Sequence, residues 1–146
     1  MAIETVQLPN LKVPREGIYS SGQPTTEQFR QLRDEGLKAV VNLRPAGEHE
    51  LDERAEVENL GMRYFEIPVG GPQDITHENA RRFHEIIEDS GNQPILIHCG
   101  TGNRVGALYA LKSHHFDEKD TEEAVEHGKL AGLTKLEPVV RQCLGC

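Results

Sequence analysis

The residues best equipped for chemistry lie in one short run, His98-Cys99-Gly100-Thr101-Gly102-Asn103-Arg104. Gly100 and Gly102 let successive backbone N–H groups turn inward as a nest that holds an oxyanion, and Thr101 and Asn103 add their amides to the same cradle. The run joins an apolar stretch, Ile95-Leu96-Ile97, to another that begins at Val105. It therefore reads as a strand-to-helix turn with the positive end of a helix dipole aimed at it. Arg104 adds a permanent cation whose two-pronged fork matches phosphate. These surroundings favour a sulfur anion, the form in which Cys99 attacks an electrophile. A structural Cys on a tight turn explains the glycines, but not the Cys and the Arg together.

For this turn to form, a strand must end at His98 and a helix must start near Arg104. The remaining pattern supplies that frame. Ile18-Tyr19 is extended and ends at Gly22-Gln23-Pro24, where Ser21 and Gln23 either line a pocket or simply make the turn. Thr25 and Gln28 form a capping box for a helix carrying Phe29 and Leu32, and Gly36 stops it. Residues 39–43 are short, apolar and rich in valine, hence a buried strand. A helix from about Glu48 to Leu60 follows, with Leu51 and Ala55 inward, and Gly61 ends it. Residues 64–69 are the next strand, and Thr76 caps a helix whose inner stripe is Phe83, Ile86 and Ile87. Two more helices, about 121–131 and 136–144, close the chain. Four alternations of strand and helix predict an α/β fold: a roughly four-stranded parallel sheet with helices on both faces. Ligands of such sheets bind at the C-terminal ends of the strands, where the Cys99 turn lies.

The His-Cys-loop-Arg run resembles the active site of protein-tyrosine and dual-specificity phosphatases. Tyr19-Ser20-Ser21-Gly22-Gln23-Pro24 and Val40-Val41-Asn42-Leu43-Arg44-Pro45-Ala46-Gly47-Glu48 resemble segments of a bacterial branch, the beta-lactamase-hydrolase-like, phosphatase-like family. The resemblance runs from about Tyr19 through Leu111. It implies a dual-specificity-phosphatase-like fold and hydrolysis of a phosphate monoester in two steps without cofactor or metal. Cys99 attacks phosphorus, and residues 100–103 with Arg104 hold the phosphate. His98 either supports the sulfur through hydrogen bonds or fills the strand end. Arg44 and Glu48 either shape the pocket or pair with each other at a helix start. The implied general acid is Asp74, with Glu66 as second candidate, and Asp74 is otherwise a turn residue ahead of the Thr76 cap.

Three features depart from that pattern. Four residues separate Cys99 from Arg104 where these phosphatases have five, and the shorter spacing is typical of rhodanese-like sulfurtransferases, whose Cys carries a persulfide. Val105 stands where a Ser or Thr is usual, leaving Thr101 as a substitute hydroxyl. The register of the general acid falls near Gly70-Gly71, and Asp74 is the nearest acid on that loop. Two further functions thus share the Cys with the phosphatase: sulfur transfer, and an oxyanion-binding module that has lost turnover.

The other signals are weaker. Cys143 and Cys146 are either a redox partner for Cys99 or part of a frayed tail, and one such pair does not make a zinc site. His114-His115 suit the negative end of a helix, and the acidic run from Asp117 to Glu126 reads as a solvated face. The chain has 146 residues, enough for one well-cored domain over 1–146 with its core at about 17–144. Its 24 acidic against 16 basic residues give a net charge of −8, which excludes general nucleic-acid or anionic-membrane binding and makes any anion site local. Three Cys are too few for a disulfide framework, and MAIETVQLPN lacks the pattern of a signal peptide, so the expected compartment is the cytosol. The expected partner is a phosphorylated small molecule or phosphoprotein, and the oligomeric state stays open.

Overall fold

The computed structural model describes residues 3–45, 52–91 and 93–144; Glu48, Leu51 and Cys146 of the sequence reading lie outside them. One sheet holds β1 (Lys12–Arg15), β2 (Ile18–Ser21), β3 (Ala39–Asn42), β4 (Arg63–Glu66) and β5 (Ile95–His98), in the order β1-β2-β5-β3-β4. β2, β5, β3 and β4 run parallel and are the four strands the sequence predicts. The fifth, β1, is a correction to that count. It pairs antiparallel with β2 through an irregular register. Its sequence, Lys-Val-Pro-Arg, is largely exposed and shows no apolar alternation, and its proline confines it to an edge.

Among the described residues six helices surround the sheet: α1 (Thr26–Asp34), α2 (Glu53–Asn59), α3 (His77–Ser90), α4 (Asn103–His115), α5 (Thr121–Leu130) and α6 (Glu137–Leu144). The Thr25–Gln28 capping box is closed in both directions, and Thr76 caps α3 through Asn79 N–H. Within the described residues α2 starts from its own cap, Asp52, which accepts from Ala55 N–H. A turn of 3₁₀ helix at Pro72–Asp74 precedes α3. Among the described residues no helix is long and apolar enough to cross a membrane.

Strand alternation divides the core between the two faces of the sheet. Tyr19, Val40, Tyr64 and Leu96 pack with Phe29 and Leu32 of α1, Val57 of α2 and Ile3 of the N-terminal segment. Ile18, Val41, Ile95 and Ile97 pack on the other face with α3 through α6. α4 is apolar nearly all round, with Val105 through Ser113 buried, because it runs beneath α3, α5 and α6.

Two glycines set the α4–α5 spacing. A Cβ on Gly106 would land on the backbone nitrogen of Leu133 and lie 2.7 Å from the Gly128 carbonyl, and one on Gly128 would lie 2.8 Å from the Gly106 carbonyl. Neither neighbour is a flexible side-chain end. Gly106→Ala, a change that favours an exposed helix, is therefore expected to destabilise this protein by about 2 kcal/mol or more. Chemical denaturation of the two proteins side by side reads the difference.

Candidate active site

The parallel register places Ser21, His98, Asn42 and Glu66 side by side in one row across β2, β5, β3 and β4. All four strands end there, so the next residues carry the chain off the sheet at one shared edge. Cys99 is the first residue past β5, held by its N–H to the Ser21 carbonyl at 3.3 Å. It is fully buried and lies on the face of α3–α6, whereas His98 lies against α1 and α2.

The turn after Cys99 closes over its sulfur. Gly102 takes the left-handed conformation, φ 97°, as the cap of α4, and its N–H donates to Cys99 Sγ at 3.0 Å. A non-glycine residue there would strain the backbone. Asn103, the first residue of α4, turns its side chain outward: Oδ1 accepts from Thr134 N–H at 2.9 Å and Leu136 N–H at 3.3 Å, tying the loop to the α5–α6 connection. Thr101 is exposed, and Asn10 Nδ2 donates to its carbonyl at 2.9 Å. Val105 is 1% exposed within the apolar core, so the position after Arg104 presents packing rather than a hydroxyl.

Arg104 is half-buried and folds across the loop mouth. Its Nη1 donates to the Val69 carbonyl at 2.7 Å, and its Nη2 passes 3.3 Å from where a Cβ of Gly100 would stand. The other end of the same peptide, Gly70 N–H, donates to Asp74 Oδ2 at 2.8 Å. The Val69–Gly70 peptide thus links the cradle arginine to the candidate acid. Asn79 Nδ2 holds the Asp74 carbonyl from α3 at 2.8 Å. Glu66, the other acid candidate, is committed elsewhere: Oε2 accepts from Tyr64 Oη at 2.9 Å and Oε1 pairs with Arg54 at 3.8 Å. Burial and the Glu53 and Glu66 carboxylates push the Tyr64 phenol well above its usual range, so it remains a donor.

Behind Cys99 lies a chain of polar contacts that the sequence reading only touched. His98 Nε2 meets Glu53 Oε2 at 2.6 Å with both side chains buried. The other carboxylate oxygen of Glu53 accepts from Gln23 Nε2 at 2.8 Å, and Gln23 Oε1 accepts from Arg44 Nη1 at 2.6 Å. Arg44 N–H in turn donates to Asn42 Oδ1 at 2.9 Å, back in the strand-end row. His98 thus meets Glu53 through Nε2, and Arg44 reaches the site through Gln23. The sequence reading missed Glu53, which in one dimension is one acid among many in an acidic stretch. The available signal was its place one residue after a cap, where an acid faces the sheet only if α2 is oriented by Val57. Cys143 is on α6 with its thiol directed at the Ile75 carbonyl at 3.5 Å, so it belongs to a helix and not to a frayed tail.

A family model described as a DSP-PTPase phosphatase fused to NAD+ kinase matches residues 10–136. A beta-lactamase hydrolase-like protein of Xylella fastidiosa is 33% identical over 120 residues, 77% of this chain and 27% of that protein. An inositol diphosphatase of Oryza sativa subsp. japonica is 31% identical over 104 residues, 68% of this chain and 50% of that protein. The chain therefore spans about a quarter to a half of the length of these two curated relatives. The core catalytic domain of the PP-IP phosphatase SIW14 from S. cerevisiae superposes with a TM-score of 0.71 at 23% identity, covering 97% of this chain and 87% of that one, which shows a shared fold.

A buried carboxylate with both oxygens bonded is costly to alter, because its partners keep their burial and lose their acceptor. Glu53→Gln is expected to lower stability by about 1–3 kcal/mol in denaturant titration. Glu58→Gln, removing an exposed pair with Arg54 at 3.7 Å, should leave the midpoint unchanged.

Proposed function

The chain belongs to the DSP-PTPase phosphatase family, and from that premise we propose that it hydrolyses a phosphate monoester through a cysteinyl-phosphate intermediate. The observation that carries the reading is the buried Cys99 sulfur accepting the Gly102 N–H at the start of α4, beneath Arg104. That cradle holds an anion at the sulfur, and the same amides suit the equatorial oxygens of a transferring phosphoryl group.

The steps follow from the groups present. Cys99 Sγ attacks phosphorus in line, forming the S–P bond as the bond to the leaving oxygen breaks. Asp74, anchored through Oδ2, gives the leaving oxygen a proton from Oδ1. The resulting carboxylate then takes a proton from the water that attacks phosphorus, and the S–P bond breaks to return the thiolate and inorganic phosphate. Residues 100–103 and Arg104 hold the phosphoryl oxygens throughout. Glu53 and His98 act as positioning residues that stiffen the strand end behind the sulfur. The substrate class is a phosphorylated small molecule or phosphoprotein, and the compartment the cytosol.

The spacing of four residues between Cys99 and Arg104 supports a second reading, sulfur transfer with Cys99 as persulfide carrier. Acceptance of sulfur from thiosulfate, without phosphate release from any ester, would favour it.

Hydrolysis of an aryl phosphate at mildly acidic pH tests the phosphatase reading, because a good leaving group needs no acid. Cys99→Ser is expected to lower the rate by about 10³-fold or more; equal rates in both proteins sink the reading. Asp74→Asn is expected to slow an alkyl phosphate by about 10²–10⁴-fold and the aryl phosphate far less. Equal slowing of both would remove Asp74 from the role of acid.

A further inference from the structure

The loop that carries Asp74 is fastened from behind as well as from the cradle side. Asn79 Nδ2 donates to the Asp74 carbonyl at 2.8 Å, and the Cys143 thiol reaches the Ile75 carbonyl from α6 at 3.5 Å. Ile75 itself is buried in the core of α3–α6. Thr76 then caps α3, and the next residue, His77, sets its ring edge-on against His115, the last residue of α4, with 4.8 Å between centroids. Phe116 packs beside both rings, 5.1 Å from His77 and 6.4 Å from His115. His77 stands three residues from Asp74, so this ring contact fixes where the acid loop meets α4. Arg104 lies in the first turn of the same helix. One helix thus carries the cradle at its start and the seat of the acid loop at its end.

The contact is sensitive to charge. Two carboxylates near it in sequence are committed elsewhere: on α3 the exposed Glu78 pairs with Arg81, and after α4 Asp117 pairs with the buried Lys112 at 2.7 Å. His114 Nδ1 is tied to the Lys119 carbonyl at 2.8 Å, and His84 lies beyond Phe116 with its ring stacked at 4.9 Å. From α6 the Cys143 thiol shares with the two histidines a cavity of about 340 Å³, which gives water access to the rings and leaves them room to part. A proton on His115 meets His77, His114 and the positive N-terminal end of α3. Burial and these two histidines hold the His115 ring below the ordinary histidine range. The packed arrangement binds that proton less well than a loosened one. Its advantage is therefore complete above the ordinary range and is lost as pH falls through it.

We propose that His77 and His115 are positioning residues for Asp74: they latch the acid loop to the end of α4 while His115 is neutral, and protonation of His115 opens the latch. The inference rests on the phosphatase reading for the use made of Asp74. A general acid ordinarily gains as pH falls, because more of it carries the proton to be given. Here the acid loses its seat over the range in which it would gain, and the two trends oppose each other.

Two measurements test the latch. Hydrogen exchange of amides 74–80, corrected for the intrinsic effect of pH, is expected to speed up about fivefold or more in the wild-type protein between pH 7.5 and 5.5. The His115 ring should titrate by NMR with the same midpoint. His115→Phe, which keeps a ring and removes the proton, is expected to abolish the step. His127→Gln, which removes an imidazole bonded to Ser113 on another face of α4, is expected to keep it. In turnover, the rate on an alkyl phosphate relative to an aryl phosphate should match between wild type and His115→Phe at pH 7.5. At pH 5.5 the ratio in the wild-type protein should lie about fivefold below that of His115→Phe. Exchange without a step, a step that follows another group, or its survival in His115→Phe overturns the proposal. So does its loss in His127→Gln, or a rate ratio that ignores His115 while exchange responds. Failure of both esters to turn over would instead remove the phosphatase reading, and exchange alone then decides the latch.

Discussion

Parallel strands in register must end together, and everything at this site follows from where they end. With Ser21, His98, Asn42 and Glu66 in one row, the four following backbones leave the sheet at a single edge. The period of two along β5 then separates His98 and Cys99 onto opposite faces. His98 turns toward α2 and meets Glu53, while Cys99 stays with the core of α3–α6 and accepts from Gly102. A slip of one residue in β5 would exchange these positions, placing the sulfur against a buried carboxylate and the imidazole beneath the amide nest.

The nest also needs a fixed floor. α4 is buried along nearly its whole length. The close approach of α5, possible because Gly106 and Gly128 face each other, holds the helix and hence the loop. Preorganisation of this kind matters where an oxyanion is stabilised, since amides already aimed at the anion need not reorganise during reaction. The Val69–Gly70 peptide extends the rigid frame outward, with Arg104 on its carbonyl and Asp74 on its N–H.

Charge is handled on two scales. Several acidic residues sit on outer helices in exposed pairs, such as Arg81 with Glu85 and Arg141 with Glu122, where water screens them and each contributes little. Around the Cys99 loop the cations are instead held in place, Arg104 on the Val69 carbonyl and Arg44 through Gln23. Net charge describes the solubility of the whole chain, whereas binding at this edge responds to the local cations within a screening length of about 10 Å.

Several features were legible in the sequence because they are local. The Thr25–Gln28 box, the Thr76 cap, the four apolar strands and the glycine-rich turn after Cys99 are each set by residues a few positions apart, and nearby residues fix backbone conformation directly. The edge strand β1 was not legible, since a proline-bearing, exposed segment becomes a strand only when β2 offers it hydrogen bonds. Glu53, 45 residues before His98 in the chain, joined this cluster only when α2 packed against the sheet. The same holds for Val69, whose carbonyl seats Arg104. Local sequence determined which groups were present and how each stretch of backbone would turn. Tertiary structure alone decided which groups share a site, because pairing across the sheet and packing of helices bring together residues whose separation in the chain carries no information about their separation in space.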